Sequence, residues 1–161
     1  MQAGANAVKI EGADHQLPVI KRIVEAGVPV MGHLGLTPQS IHNLGGHRVQ
    51  GKDEASTRKI LDDASHLEAA GCFAIVLECV PNKLGDCLTH QVQVPTIGIG
   101  AGPFTDGQVL VLHDLLGADP EFSPKFLRRY ANVHDVISRA LDNYHGDVTE
   151  QSFPSLEETY G

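Results

Sequence analysis

The stretch Gly71-Cys72-Phe73-Ala74-Ile75-Val76-Leu77-Glu78-Cys79-Val80-Pro81 decides the fold. Its centre, Phe73–Glu78, is a continuous apolar run of strand-forming residues closed by a carboxylate. A strand that is apolar on successive residues is buried on both faces, the condition of a parallel sheet. Just upstream, Asp53–Ala70 places Ile60, Leu61, Ala64 and Leu67 at helical spacing and stops at Gly71, the usual C-terminal glycine. Helix, glycine, buried strand is the repeating unit of an α/β fold.

The same alternation extends in both directions. Further strands are expected at Ala7–Glu11, Val28–His33, Thr96–Gly100 and Val109–His113. A helix over Gln16–Ala26 carries Leu17, Ile20, Ile23 and Val24 on one stripe and ends at Gly27. Asn82–Thr89 reads as a short helix. Pro124–Tyr144 reads as a long amphipathic one, opened by Ser123-Pro124 as cap and first-turn residue. From Gly146 the chain reads as a polar, irregular tail with Phe153-Pro154 as an anchor. No repeat or linker marks a second domain, so 1–161 is expected to be one domain. Five parallel strands suit the last five strands of a (β/α)₈ barrel, at roughly 30 residues per unit, or a self-sufficient doubly wound sheet; periodicity does not choose. A five-strand arc of a barrel has two open edges, so the chain alone is expected to aggregate or to depend on partners.

The bulk properties exclude several functions. With 42% hydrophobic and 20% charged residues the chain is an ordinary globular protein. A net charge of −8 and scattered cations argue against nucleic acid or an anionic membrane as partner. Cys72, Cys79 and Cys87 are odd in number and lack a C-x-x-C, so they suggest small buried hydrophobes in a reducing compartment rather than disulfides or zinc. No signal peptide or spanning segment is readable, which predicts a cytoplasmic protein, or an organelle matrix one if an upstream segment is absent.

In either architecture ligands bind at the carboxyl ends of parallel strands. Those ends carry Lys9 and Glu11, then His33, then Glu78, with His113 on the fifth. Lys9 and Glu11 are two apart and share a side of their strand. Each residue has a plainer explanation: a structural ion pair for Lys9 and Glu11, a helix cap for Glu78, a satisfied core histidine for His33. Their agreement across three strands favours a site, because charges closing apolar strands are costly unless paired or in a polar cleft. Such a set suits proton abstraction beside a carbonyl: a lysine for a carboxylate, a carboxylate base, and a second carboxylate for a divalent cation. Gly98-x-Gly100-x-Gly102 departs from the dinucleotide fingerprint and reads as a tight turn. His42, His47, His66, His90, His134 and His145 read as surface residues.

The segments VKIEG (Val8–Gly12), PVMGHLGLTPQS (Pro29–Ser40), VQGK (Val49–Lys52), IVLECVP (Ile75–Pro81), PTIGIGAG (Pro95–Gly102) and DGQVLVLHDLLG (Asp106–Gly117) resemble ketopantoate hydroxymethyltransferases in order and spacing, and FSPKFLRRY (Phe122–Tyr130) continues the match. The resemblance implies a (β/α)₈ TIM barrel of which this chain covers strands four to eight. It also implies a Mg²⁺-dependent homo-oligomer, a decamer, that transfers a hydroxymethyl group from 5,10-methylenetetrahydrofolate to the 2-oxo acid 3-methyl-2-oxobutanoate, giving 2-dehydropantoate for pantothenate synthesis. By the family's motifs Glu78 is the catalytic base, Lys9 contacts the substrate carboxylate, Glu11 holds the metal through water, and His33 positions the reacting groups. The family's direct metal ligands, two aspartates, lie in a region N-terminal to VKIEG that this sequence does not contain. An incomplete piece or a shortened gene product would both explain this, and the alternative function is a non-catalytic remnant or a protein that binds full-length subunits. A metal-dependent lyase or mutase of the related barrel superfamily is the remaining reading; a folate requirement separates the two enzymes.

Overall fold

Strands and helices alternate along the first two-thirds of the chain in the computed structural model, which describes residues 4–40 and 48–161. Strands β1 (Val8–Glu11), β2 (Val30–Gly35), β3 (Ala74–Glu78), β4 (Thr96–Ile99) and the two-residue β5 (Gly107–Gln108) lie side by side in chain order, every pair parallel. Helices α1 (Leu17–Glu25), α2 (Glu54–Ala69) and α3 (Asn82–Gln91) make the first three returns. A doubly wound sheet reverses its strand order at a switch point; a barrel wall does not. The uninterrupted order β1-β2-β3-β4-β5 therefore selects the barrel-type arrangement from the two that the sequence left open.

Register fixes what each face of the sheet does. Ile10, Gly32 and Ile75 are aligned across β1, β2 and β3, and Leu34, Leu77 and Gly98 across β2, β3 and β4. That outer face packs on the helices: Ile20 of α1, Leu67 of α2 and Leu88 of α3 are fully buried with Val30, Ile75 and Leu77. At about 25 cal/mol per Å² of apolar surface, each such side chain contributes roughly 1.5–3 kcal/mol. The other face carries Lys9, then Glu11 and His33 in one register row, then Glu78 beside Gly35.

Local chemistry explains the helix ends. Asp53 caps α2 by accepting from the Ser56 amide at 2.9 Å, while the Ser56 side chain reaches back to the Asp53 amide. The return from β4 to β5 over residues 100–106 has no helix, short for a parallel crossover. It is pinned at the foot of β4, where Asp106 accepts from the buried Thr96 amide at 2.8 Å and from the Thr96 hydroxyl at 3.0 Å.

The described residues divide into two compact units, Met1–Val109 and Leu110–Gly161. The second contains α4 (Leu112–Leu115) and α5 (Val133–Thr149). Two sequence expectations are corrected here. The run Val109–His113 is not a strand: the fifth strand is Gly107–Gln108, and His113 lies on α4. Val109, Val111 and Leu112 are 44%, 51% and 63% exposed, so the run lacks the two-sided burial its composition suggested. Nor does a helix start at Ser123-Pro124. The Arg129 guanidinium donates to the carbonyls of Asp119, Pro120 and Phe122 and folds that segment into a loop. Asn132 then caps α5, which passes through Gly146 to Thr149, into what the sequence suggested was tail. Beyond it the Phe153 ring lies edge-on to Tyr144, centroids 5.5 Å apart.

Candidate active site

Three strand ends bring the expected residues together. His33 is only 2% exposed and sits between two groups. On one side its Nδ1 lies 3.1 Å from Lys9 Nζ and 3.5 Å from Glu11 Oε1; on the other its Nε2 lies 3.2 Å from Glu78 Oε2. Lys9 and Glu11 are themselves 3.7 Å apart. The ammonium of Lys9 can only donate, so Nδ1 accepts and the ring proton is assigned to Nε2. That Nε2 is buried and makes no hydrogen bond among the described residues, its approach to Glu78 being close but poorly aligned. A buried donor without an acceptor costs about 1–3 kcal/mol, and such exceptions concentrate where a fold serves chemistry.

The plainer explanations fail for two of the four residues. Glu78 does not cap α3, whose first turn follows Pro81 without a side-chain cap; it faces His33 instead. His33 meets a lysine and two carboxylates rather than a backbone carbonyl. Lys9 and Glu11 do form an ion pair, but His33 touches both of them. His113 lies on α4 in the second unit, exposed. His42 and His47 fall outside the described residues, and His66, His90 and His145 are exposed as expected while His134 is half-buried.

Glu11 also accepts the Gln39 amide at 3.0 Å, from the turn after β2. Its two oxygens thus face two donors, the Gln39 amide and the Lys9 ammonium, with the unprotonated Nδ1 of His33 beside them. Among the described residues no group of three or more His, Cys, Asp or Glu side chains is placed to hold a metal ion. This donor-rich setting does not fit a directly bound Mg²⁺, which needs oxygen ligands in near-octahedral array.

A cleft of about 370 Å³ opens beside Glu11, bounded by Gly12, Gln16, Gly35, Thr37 and Lys59. That is enough room for a small acid. A wider depression of about 580 Å³ lies along α2, lined by Glu54, Arg58, Asp62 and His66, and includes none of the four strand-end residues. It is a surface of ion-paired side chains; of the four strand-end residues the cleft takes in Glu11 and not Lys9, His33 or Glu78.

Sequence reading missed the parts that hold Glu78. Gly35 sits opposite it in register, with φ +91°, and a Cβ there would come within 2.1 Å of the Glu78 carbonyl oxygen. Cys79, directly after Glu78, has φ +49°, the left-handed region that non-glycine residues seldom enter. The glycine in GHLG was a usable signal; nothing in Cys79's identity announced its conformation.

Residues 1–156 match the family model described as ketopantoate hydroxymethyltransferase. A 3-methyl-2-oxobutanoate hydroxymethyltransferase of Coxiella burnetii (strain Dugway 5J108-111) is 54% identical over 158 residues, 98% of this chain and 59% of its own. One from Anaeromyxobacter sp. (strain K) is 56% identical over 153 residues, covering 95% and 50%. A third, from Bdellovibrio bacteriovorus, is 53% identical over 160 residues, covering 99% and 61%. The chain thus spans between half and two-thirds of the length of these relatives. The strand-end set, the sequential parallel sheet and a match over nearly every residue converge: the chain belongs to the ketopantoate hydroxymethyltransferase family.

Proposed function

We propose that the protein transfers a hydroxymethyl group to 3-methyl-2-oxobutanoate, with 5,10-methylenetetrahydrofolate as donor, and yields 2-dehydropantoate. Overall, the oxo acid, the folate and one water give 2-dehydropantoate and tetrahydrofolate. Family membership supports the reaction, and one observation carries the chemistry: the buried His33 lies between a lysine and a carboxylate that close neighbouring strands.

In this reading Lys9, on the exposed side of the cluster, takes the substrate carboxylate as a charge-assisted partner. Glu78 removes the proton at C3, and the electron pair of that C–H bond becomes the C2–C3 double bond of the enolate, with charge on the 2-oxo oxygen. The carbanion carbon then bonds to the one-carbon unit. His33, held by Lys9, fixes the side from which Glu78 approaches. Mg²⁺ is proposed as cofactor, supplying Lewis-acid polarisation of the 2-oxo group. Of the described residues only Glu11 is offered to it, through water, and the roles of Lys9, His33 and Glu78 do not run through it.

The partners proposed are small molecules and further copies of the same subunit, with the barrel closed by strands beyond these five and the protein in the cytoplasm. No helix among the described residues is long and apolar enough to cross a membrane.

The test is proton exchange. In D₂O the intact protein is expected to exchange the C3 hydrogen of 3-methyl-2-oxobutanoate, read by NMR without folate, and Glu78→Gln to lose that exchange. Undiminished exchange in the variant would remove Glu78 from the role of base.

A further inference from the structure

Glu78 is the last residue of β3, and a chain end is a poor place to hold a catalytic group steady. Yet both sides of the peptide that follows it are tied to neighbouring strands. The Glu78 carbonyl accepts the Leu36 amide at 2.8 Å, and the Cys79 amide donates to the Ile99 carbonyl at 2.9 Å. At Cys79 the backbone then turns into the left-handed region, φ +49°, and its carbonyl meets the Gln50 amide at 2.8 Å. This turn ends the strand and sends the chain to Pro81 and α3. Gly35 gives it room, since any Cβ there would strike the Glu78 carbonyl oxygen and the Val80 side chain.

We propose that Cys79 is a positioning residue that acts through its backbone: its left-handed turn, braced by Gln50 and admitted by Gly35, sets the Glu78 carboxylate beside His33. The proposal rests on Glu78 as base and adds what aims it. The thiol is not the active feature. Burial, and after it the charge of Glu78, pushes the Cys79 thiol up, away from the thiolate form that nucleophiles use. A residue held in a sparsely populated conformation next to a functional group is a recurrent device for pre-organisation.

The experiment compares side chains by their tolerance of the left-handed region in the intact protein. Asn adopts it more readily than most residues, whereas β-branched Val resists it. Cys79→Ala and Cys79→Asn should keep kcat for C3 exchange within about two-fold, because neither needs the thiol. Cys79→Val should lower kcat about 10- to 100-fold, the scale of an ångström-sized misplacement. Its KM for the oxo acid should stay within about two-fold, because Lys9, two strands away, carries the carboxylate contact. Wild-type kcat in Cys79→Val overturns the proposal, as does an equal loss in Cys79→Ala and Cys79→Asn or a loss confined to KM. Should circular dichroism show Cys79→Val unfolded, Gln50→Pro removes the bracing amide N–H together with the side-chain bond to Arg48, with Gln50→Ala, which keeps that N–H and its kcat, as the control. A kcat loss of about five-fold at unchanged KM then supports the proposal, and wild-type kcat overturns it. Glu78→Gln in the same assay separates the two claims. If it retains exchange, the base assignment fails; if it loses exchange while Cys79→Val does not, only the positioning role fails.

Discussion

The two faces of one sheet behave differently. Outward, Ile10, Val30, Ile75 and Leu77 meet Ile20, Leu67 and Leu88 in an apolar layer. Inward, at the carboxyl ends, the same strands present Lys9, Glu11, His33 and Glu78, with one buried donor that has no partner among the described residues. Leu77 and Glu78 are chain neighbours and share nothing else. The strand's period of two sends one residue to the core and the next to the proposed site. Stability and turnover should therefore separate when neighbouring residues are changed.

The largest effect on stability is expected from Leu77→Ala. A fully buried leucine in this layer should cost about 2–5 kcal/mol, measured by urea unfolding, while the folded fraction keeps its exchange activity. Loss of exchange in still-folded protein would break the separation. Next is Asp106→Ala, at the foot of the same outer layer. It leaves the buried Thr96 amide without its acceptor and should cost about 1–3 kcal/mol with kcat unchanged. The pH dependence follows in sign. Hydrogen bonds from Thr96, the backbone one first, hold the Asp106 carboxyl below its ordinary 3.8. Its stabilisation is then present at neutral pH and is lost as the pH falls below 3.8 through the lower folded value. Asp106→Ala should accordingly show a shallower fall in Tm on acidification than the parent.

On the inner face Lys9→Met should raise KM for the oxo acid about 10-fold, equivalent to about 1.4 kcal/mol, with unfolding changed by less than about 0.5 kcal/mol. A variant that loses stability but binds normally would return Lys9 to the structural ion pair. The smallest effect sharpens the comparison from outside the sheet. Arg58 pairs with Glu54 at 2.9 Å on the exposed face of α2, and Arg58→Met should cost about 0.3–0.5 kcal/mol and leave exchange untouched.

Much of the outer face was legible in the sequence. The apolar runs at β1 to β4 and the stripes of α1 and α2 are dictated by burial, which leaves a periodic trace. Val109–His113 misled because its trace was apolar without being buried, and β5, two residues long, is set by pairing with Ile97 and Gly98 rather than by composition. Ser123-Pro124 offered a helix start that Arg129 overrides through three carbonyls just upstream of it, while the working cap, Asn132, lay nine residues on. The four candidate residues could be read because charges stand out at the ends of apolar strands. That His33 links them needed the register of three strands, and the conformation of Cys79 needed contacts from Leu36, Gln50 and Ile99.

The central claim is that the inner-face carboxylate works on substrate while its outer-face neighbour holds the fold. Measuring deuterium exchange at C3 of 3-methyl-2-oxobutanoate alongside Tm, for Glu78→Gln and Leu77→Ala together, tests it most directly. Exchange in Glu78→Gln should fall about 10²- to 10⁴-fold at near-parental Tm, whereas Leu77→Ala should melt many degrees lower and still exchange when folded. Exchange surviving in Glu78→Gln, or disappearing equally in both folded variants, would contradict it.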